Sequence, residues 1–228
     1  MSRFLRLGGT ALIAIAFIPA ASFPAAASPG AAARAAEGLL LADAVATLPV
    51  AAEQREGYKR TSFKHWTDSD RDGCSTRYEV LLEEAVTAPE VADGCRLNGG
   101  SWHSYYDDKT ITDASGLDVD HVVPLAESWD SGAYAWDAAQ REAYANYLDH
   151  PWHLVAVTAR SNRSKADQDP STWQPPVEGV RCRYAAEWTA IKIHWQLSID
   201  PAEQQALNEL GAACPEQRLP SVDEQLAR

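Results

Sequence analysis

The spacing of apolar residues changes along the chain, and each change marks a boundary. Leu7 to Phe17 is a nearly unbroken apolar run behind Arg3 and Arg6, and Ala25-Ala26-Ala27 precedes Ser28. The run is too short to span a bilayer, and the basic start and small residues are those of a cleaved export signal over 1–27. Residues 28–40 form an Ala-rich leader, and 216–228 form a polar tail. Between them, 41–215 reads as one folded domain, with no internal repeat. Leu39 to Glu53 carries apolar residues at helical spacing broken at Pro49, so it predicts a docking helix or two short turns. Helical spacing also predicts helices over Arg77–Ala88, Ala138–Leu148, Tyr184–Leu197 and Pro201–Leu210. Asp200 before Pro201 supplies an N-cap and a first-turn proline. Trp102–Ile111 mixes strand and turn residues, Leu117–Val123 alternates as a strand does, and Leu154–Thr158 is compact and rich in β-branched residues. Asn162–Asp167 can open a helix. The central order is strand, long excursion, strand, helix, which makes the fold class α+β.

Eight tryptophans, with many Leu, Val and Ile, are enough to fill a core, so Trp129, Trp136, Trp173, Trp188 and Trp195 are expected to pack inside. Cys74, Cys95, Cys182 and Cys214 make an even count in a chain with an export signal, which suggests disulfides. Four cysteines allow three pairings; Cys74–Cys95 with Cys182–Cys214 closes two short local loops. No Cys-x-x-Cys pair is present, which argues against a cysteine-held zinc. The net charge is −12, and loss of residues 1–27 removes two arginines and no acid. That balance argues against a protein that coats nucleic acid with a broad basic face, but not against a locally basic cleft.

Two segments concentrate chemistry. The first is Asp118-Val119-Asp120-His121-Val122-Val123-Pro124-Leu125, followed after the second strand by Ser161-Asn162-Arg163-Ser164-Lys165. If the strands pair as a hairpin, Asp120, His121 and Asn162 converge. A carboxylate and an amide oxygen suit one Mg²⁺ or Mn²⁺ with open positions. A histidine beside them, with an ordinary pKa near 6.5, suits proton transfer. Arg163 and Lys165 lie within a helical turn of Asn162 and are placed to hold a phosphate, and Arg77 is a further candidate that can equally pair with the acidic loop. Glu127 is a candidate supporting acid. Taken singly, Asn162 reads as a helix N-cap, Asp120 as a strand-end acid and His121 as a structural histidine; their combination carries the functional reading. The second segment is Asp68-x-Asp70-x-Asp72-Gly73 with Glu79 after it, the twelve-residue calcium-loop pattern. It reads equally as a structural Ca²⁺ site and as an acidic turn braced by Cys74.

Asp120-His121-Val122-Val123-Pro124 with Asn162-Arg163-Ser164-Lys165 resembles the HNH nuclease motif, including its version in RNA-guided CRISPR nucleases. More closely, the chain resembles the secreted HNH endonucleases related to the GmrSD C-terminal domain. The likeness runs through Gly57-Tyr58-Lys59-Arg60, Trp66–Arg77, Asp120–Trp129, Asn162–Pro170, Trp173, Pro175-Pro176 and Cys182, and covers the chain from Leu39 to Cys214. The resemblance implies a ββα-metal (His-Me finger) core and a secreted, metal-dependent endonuclease acting on DNA or RNA with little sequence preference. It implies His121 as general base, Asp120 and Asn162 as metal ligands, a monomer, and no membrane contact once the signal is removed. The motif's middle Asn has no match, and His153 occupies its place. The rival class is a calcium-stabilised extracellular binding module that keeps the fold without the activity.

Overall fold

A computed structural model describes residues 38–220. The export-signal segment, the leader before Gly38 and the end of the tail lie outside the described residues. The elements in order are α1 (Leu41–Val45), α2 (Thr76–Glu83), β1 (Glu90–Ala92), β2 (Arg96–Asn98), β3 (Trp102–Ser104), β4 (Lys109–Ile111), β5 (Leu117–His121), α3 (Leu125–Asp130), α4 (Ala138–Ala145), β6 (Leu154–Thr158), α5 (Ala159–Lys165), α6 (Arg181–His194) and α7 (Pro201–Ala213). The strands form three antiparallel pairs, β1–β2, β3–β4 and β5–β6. The chain is therefore α+β, as its pattern predicts.

The β5–β6 pair organises the molecule. Its register runs from Leu117 opposite Thr158 to His121 opposite Leu154. Residues of a strand alternate between its two faces, and here both faces are covered. Leu117, Val119, Leu154 and Ala156 pack with Val80, Leu81 and Trp102 in one apolar cluster. Val155 and Val157 turn into a second, larger cluster with α1, α6 and α7. That is why Leu154–Thr158 is buried at every position and reads as apolar from Leu154 through Val157. Asp118 and Asp120 share the parity that faces the larger core, so Asp120 enters the interior beside Val155 in the register.

β6 runs straight into α5. The Thr158 hydroxyl accepts from the Ser161 amide at 3.2 Å and caps the helix. The helix therefore opens at Ala159, and Asn162 is not its cap. The predicted helix over 77–88 stops at Glu83, because Val86 and Thr87 leave it to bond the Ser101 carbonyl. On α7, the Asp200 carboxylate accepts from Ala202 and Glu203 amides at 2.6 and 2.8 Å, and Pro201 occupies the first turn. Cys182 at the start of α6 is bonded to Cys214 at the end of α7, and Cys74 to Cys95. The first bridge closes the α6–α7 hairpin at its open end. The second ties the acidic loop to the β1–β2 turn. Leu40 bridges to Arg218, and Leu219 is buried, so the two ends of the described chain are joined.

Candidate active site

β5 ends on His121, whose side chain is 5% exposed. Its Nε2–H donates to the Ala145 carbonyl at 3.0 Å. One residue earlier, the Tyr144 carbonyl accepts from Nε2–H of His153 at 2.8 Å. Two histidines thus hold consecutive carbonyls at the end of α4. The Tyr144 ring lies parallel to the imidazole with centroids 6.3 Å apart, and Trp66 covers it at 5.4 Å. The Trp66 loop is fastened by Asn146, which accepts from the Thr67 amide at 2.9 Å and donates to the Lys64 carbonyl at 2.8 Å. With Nε2 committed to a carbonyl, Nδ1 carries the lone pair. Burial first, and then the nearby His153, hold the His121 pKa well below its usual value, against the pull of the Ala145 carbonyl. A neutral, oriented imidazole is the form a general base requires.

His121 lines a cleft of about 340 Å³ together with Arg60, Asp120, Asn162, Arg163 and Asp167. Asp120, also 5% exposed, is held from within. Lys165 Nζ approaches its two oxygens at 3.0 and 2.8 Å, and Tyr106 donates to Oδ2 at 2.8 Å. Burial raises the Asp120 pKa, and the lysine and tyrosine contacts oppose it. Burial lowers the Lys165 pKa, and Asp120 opposes that. Each charge opposes the neutralisation that burial favours in the other. Asn162 donates its amide N–H to Asp118 Oδ2 at 3.2 Å, which turns its side-chain oxygen outward as an acceptor.

The donor set suits a hard divalent cation. A carboxylate accepts in about four directions, and Lys165 and Tyr106 use three of those on Asp120. One direction remains on Oδ1, and the Asn162 side chain on the same cleft wall could offer a neutral oxygen. Few protein ligands, all oxygen, is the arrangement that leaves a divalent ion open to water and phosphate.

Several side chains sit where the sequence did not place them. Lys165, expected to reach phosphate, is fully buried and also donates to the His121 carbonyl at 3.0 Å, so it is an internal counter-charge. Glu127 turns away from His121 into a buried network, where Lys192 donates to it at 2.6 Å and reaches Glu203 at 3.2 Å. Arg77 donates to the Leu117 carbonyl at 3.1 Å, at the opposite end of β5 from His121. Arg163 remains exposed, 3.6 Å from Asp118. Asp118, Tyr106 and Arg60 are site residues the sequence did not single out. Asp118 was legible as the alternate neighbour of Asp120, whereas Tyr106 had no local signal. In the acidic loop, oxygens of Asp68, Asp70 and Asp72 lie within 4.8 Å of one another, and all three residues are exposed. Burial and these three aspartates raise the pKa of Glu79 on α2.

A two-stranded antiparallel unit followed by a helix, with Asp-His ending the first strand and Asn on the helix, is a ββα arrangement. Residues 89–210 match the family described as GmrSD restriction endonucleases, C-terminal domain, and the chain belongs to that family. It is also 41% identical over 160 residues, 70% of this chain and 77% of the relative, to a protein of Arthroderma benhamiae described as an uncharacterized secreted protein. No solved structure matches the chain. The two disulfides and the secreted relative agree on a secreted protein. No helix among the described residues is long and apolar enough to cross a membrane.

Proposed function

We propose that this chain is a secreted, metal-dependent endonuclease that hydrolyses phosphodiester bonds of nucleic acid, DNA first and RNA as a second substrate. The observation that carries it is the commitment of His121 Nε2 to the Ala145 carbonyl beside the oxygens of Asp120 and Asn162. Membership of the endonuclease family supports the same reading.

A Mg²⁺ or Mn²⁺ held by Asp120 Oδ1 and the Asn162 oxygen would neutralise the phosphate and the departing oxygen. His121 takes a proton from water at Nδ1, and that water's oxygen bonds to phosphorus as the bond to one ester oxygen breaks. Tyr106 and Lys165 orient Asp120 from behind. His153 acts as a positioning residue, because it fixes the carbonyl next to the one that orients His121. Arg163 and Arg60 offer cations to the phosphate. No element among the described residues is built to read base edges, so cleavage with little sequence preference, by a monomer, is expected. The loop bearing Asp68, Asp70, Asp72 and Glu79 takes a structural Ca²⁺ in this reading. The net charge of −12 together with that loop favours, as the second reading, a calcium-stabilised module without activity.

The test is plasmid cleavage by the secreted protein with Mg²⁺ or Mn²⁺, beside His121→Ala. Metal-dependent cleavage that the variant loses is expected. Folded, disulfide-intact protein that cleaves neither DNA nor RNA with either metal would sink the enzyme and leave the binding module.

A further inference from the structure

Behind the catalytic cleft, on the opposite side of α5, lies a second cleft of about 460 Å³ lined by Asp107, Lys109, Arg160, Ser164, Trp173 and Gln174. Successive helix residues are turned by about 100°. Arg160 and Ser164 therefore face this cleft, and Asn162 and Arg163 face the catalytic one. Only the thickness of a helix, about 10–12 Å with side chains, separates the two. The volume is that of a small-ligand site.

Its lining is unusual for an acidic protein. Arg160 is exposed and makes no hydrogen bond or ion pair among the described residues. Lys109 is half exposed and stands 4.0 Å from Asp107. That carboxylate also accepts from the Ser104 hydroxyl at 2.6 Å and the Thr158 hydroxyl at 2.8 Å. Other cations of the chain are committed: Arg55 to Asp130, Lys64 to Glu142, Arg183 to Glu187, and Lys192 to Glu127. Trp173 is half-buried and held rigidly, with Tyr106 and Tyr184 against its ring at 5.2 and 5.7 Å and its indole N–H donated to Ser164 at 3.3 Å. Gln174 donates to the Pro170 carbonyl at 3.0 Å, which leaves its side-chain oxygen to accept. A fixed aromatic wall, an arginine without a carboxylate partner, a half-exposed lysine held only loosely by one and an amide acceptor are the parts of a single-strand nucleic-acid subsite, where a base stacks and the backbone is met by charge.

We propose that this second cleft binds an unpaired stretch of the substrate adjoining the scissile phosphate, with a base against Trp173 and phosphates on Arg160 and Lys109. The proposal rests on the nuclease reading for its substrate class. It assigns the preference to single-stranded or locally opened nucleic acid, which the catalytic residues do not determine.

The experiment compares the full secreted chain with an Arg160→Glu, Lys109→Glu double variant. Binding of a long single-stranded oligonucleotide and of the matching duplex is read by fluorescence anisotropy, both in a His121→Ala background, with thermal melts confirming the fold. The single strand is expected to bind roughly tenfold or more weakly to the charge-reversed protein at 0.1 M salt, with a log–log salt slope shallower by about 1.4, the counterion release of two phosphate contacts. In the active protein the loss is expected in KM for the oligonucleotide, so that its kcat/KM falls relative to that for bis(p-nitrophenyl) phosphate, an ester too small to reach the second cleft. Unchanged binding and salt slope would overturn the subsite. Equal losses on duplex and single strand would overturn the single-strand assignment. If the wild-type chain cleaves nothing while the charge-dependent single-strand binding is present, the nuclease reading fails and the subsite stands.

Discussion

Replacing Lys165 by methionine keeps the length of the side chain and removes a charge that the fold has enclosed completely. Lys165 has no exposed surface, and its ammonium reaches both oxygens of Asp120 and the carbonyl of His121. The cost comes less from the lost attraction than from what is left behind, a carboxylate 5% exposed with one tyrosine hydroxyl for company. Breaking one side of a buried pair typically costs about 3–5 kcal/mol. A domain of this size melts about 2–4 °C lower per kcal/mol, so the expected drop is roughly 6–20 °C. Asp120→Asn, Lys165→Met removes both charges and should recover much of that loss, giving a coupling of about 2 kcal/mol in a double-mutant cycle. The assay is thermal unfolding by circular dichroism with disulfides intact and chelator present, so that metal binding does not enter. A single variant melting within about 2 °C of the parent, or a double variant whose loss is the sum of the singles, would refute the internal counter-charge.

His153, 1% exposed, has its pKa held down to about 3, chiefly by burial and against the pull of the Tyr144 carbonyl. Its folded pKa lies below the unfolded one, so the stability it lends is complete above about pH 6.5 and is lost as pH falls toward 3. Between pH 7 and 5 that amounts to about 2 kcal/mol. His153→Asn keeps a donor for the same carbonyl and does not titrate, so urea unfolding at the two pH values should differ by that much less. An identical difference in parent and variant would show that His153 does not hold its proton affinity down. For the acidic loop, Ca²⁺ at about a hundred times its Kd should raise stability by about 2.7 kcal/mol, or roughly 5–11 °C in melting temperature, and Asp70→Asn with Asp72→Asn should abolish the rise. No shift in the parent chain would make the loop an acidic turn.

The sheet at the centre was legible because burial on both faces leaves a plain signature. Leu154–Val157 has no polar position to alternate with, and all five residues through Thr158 are inside. The two disulfides are the pairing that local spacing favoured, although spacing left the other two pairings open, and the α7 cap followed from Asp200-Pro201. The β1–β2 pair went unread although Asp93-Gly94 is a hairpin signal, because strands of three residues carry too little pattern to stand out. The start of α5 was misplaced because Thr158 does two things at once. It ends a strand in register with Leu117 and caps the next helix. A reading by segments assigns such a residue to one element only.

The site divides along a similar line. Asp120 and His121 end one strand of the hairpin, and Asn162 lies on the first turn of the helix that follows the other, so local pattern was sufficient to single them out. What holds them is not local. Lys165 follows Ser161 by one helical turn, and both are buried, so the helix turns this face inward against β5. Sequence shows a lysine on a short basic helix, and such a lysine ordinarily reaches solvent. Its fate is decided by Asp120 and Tyr106, which arrive from other elements to meet it. The same holds for Glu127, an acid near His121 in sequence that Lys192 on α6 draws into the core. In both cases the charge's partner, more than its neighbours in the chain, sets its role. Arg160, by contrast, meets no carboxylate among the described residues, and it lies outside the motif altogether.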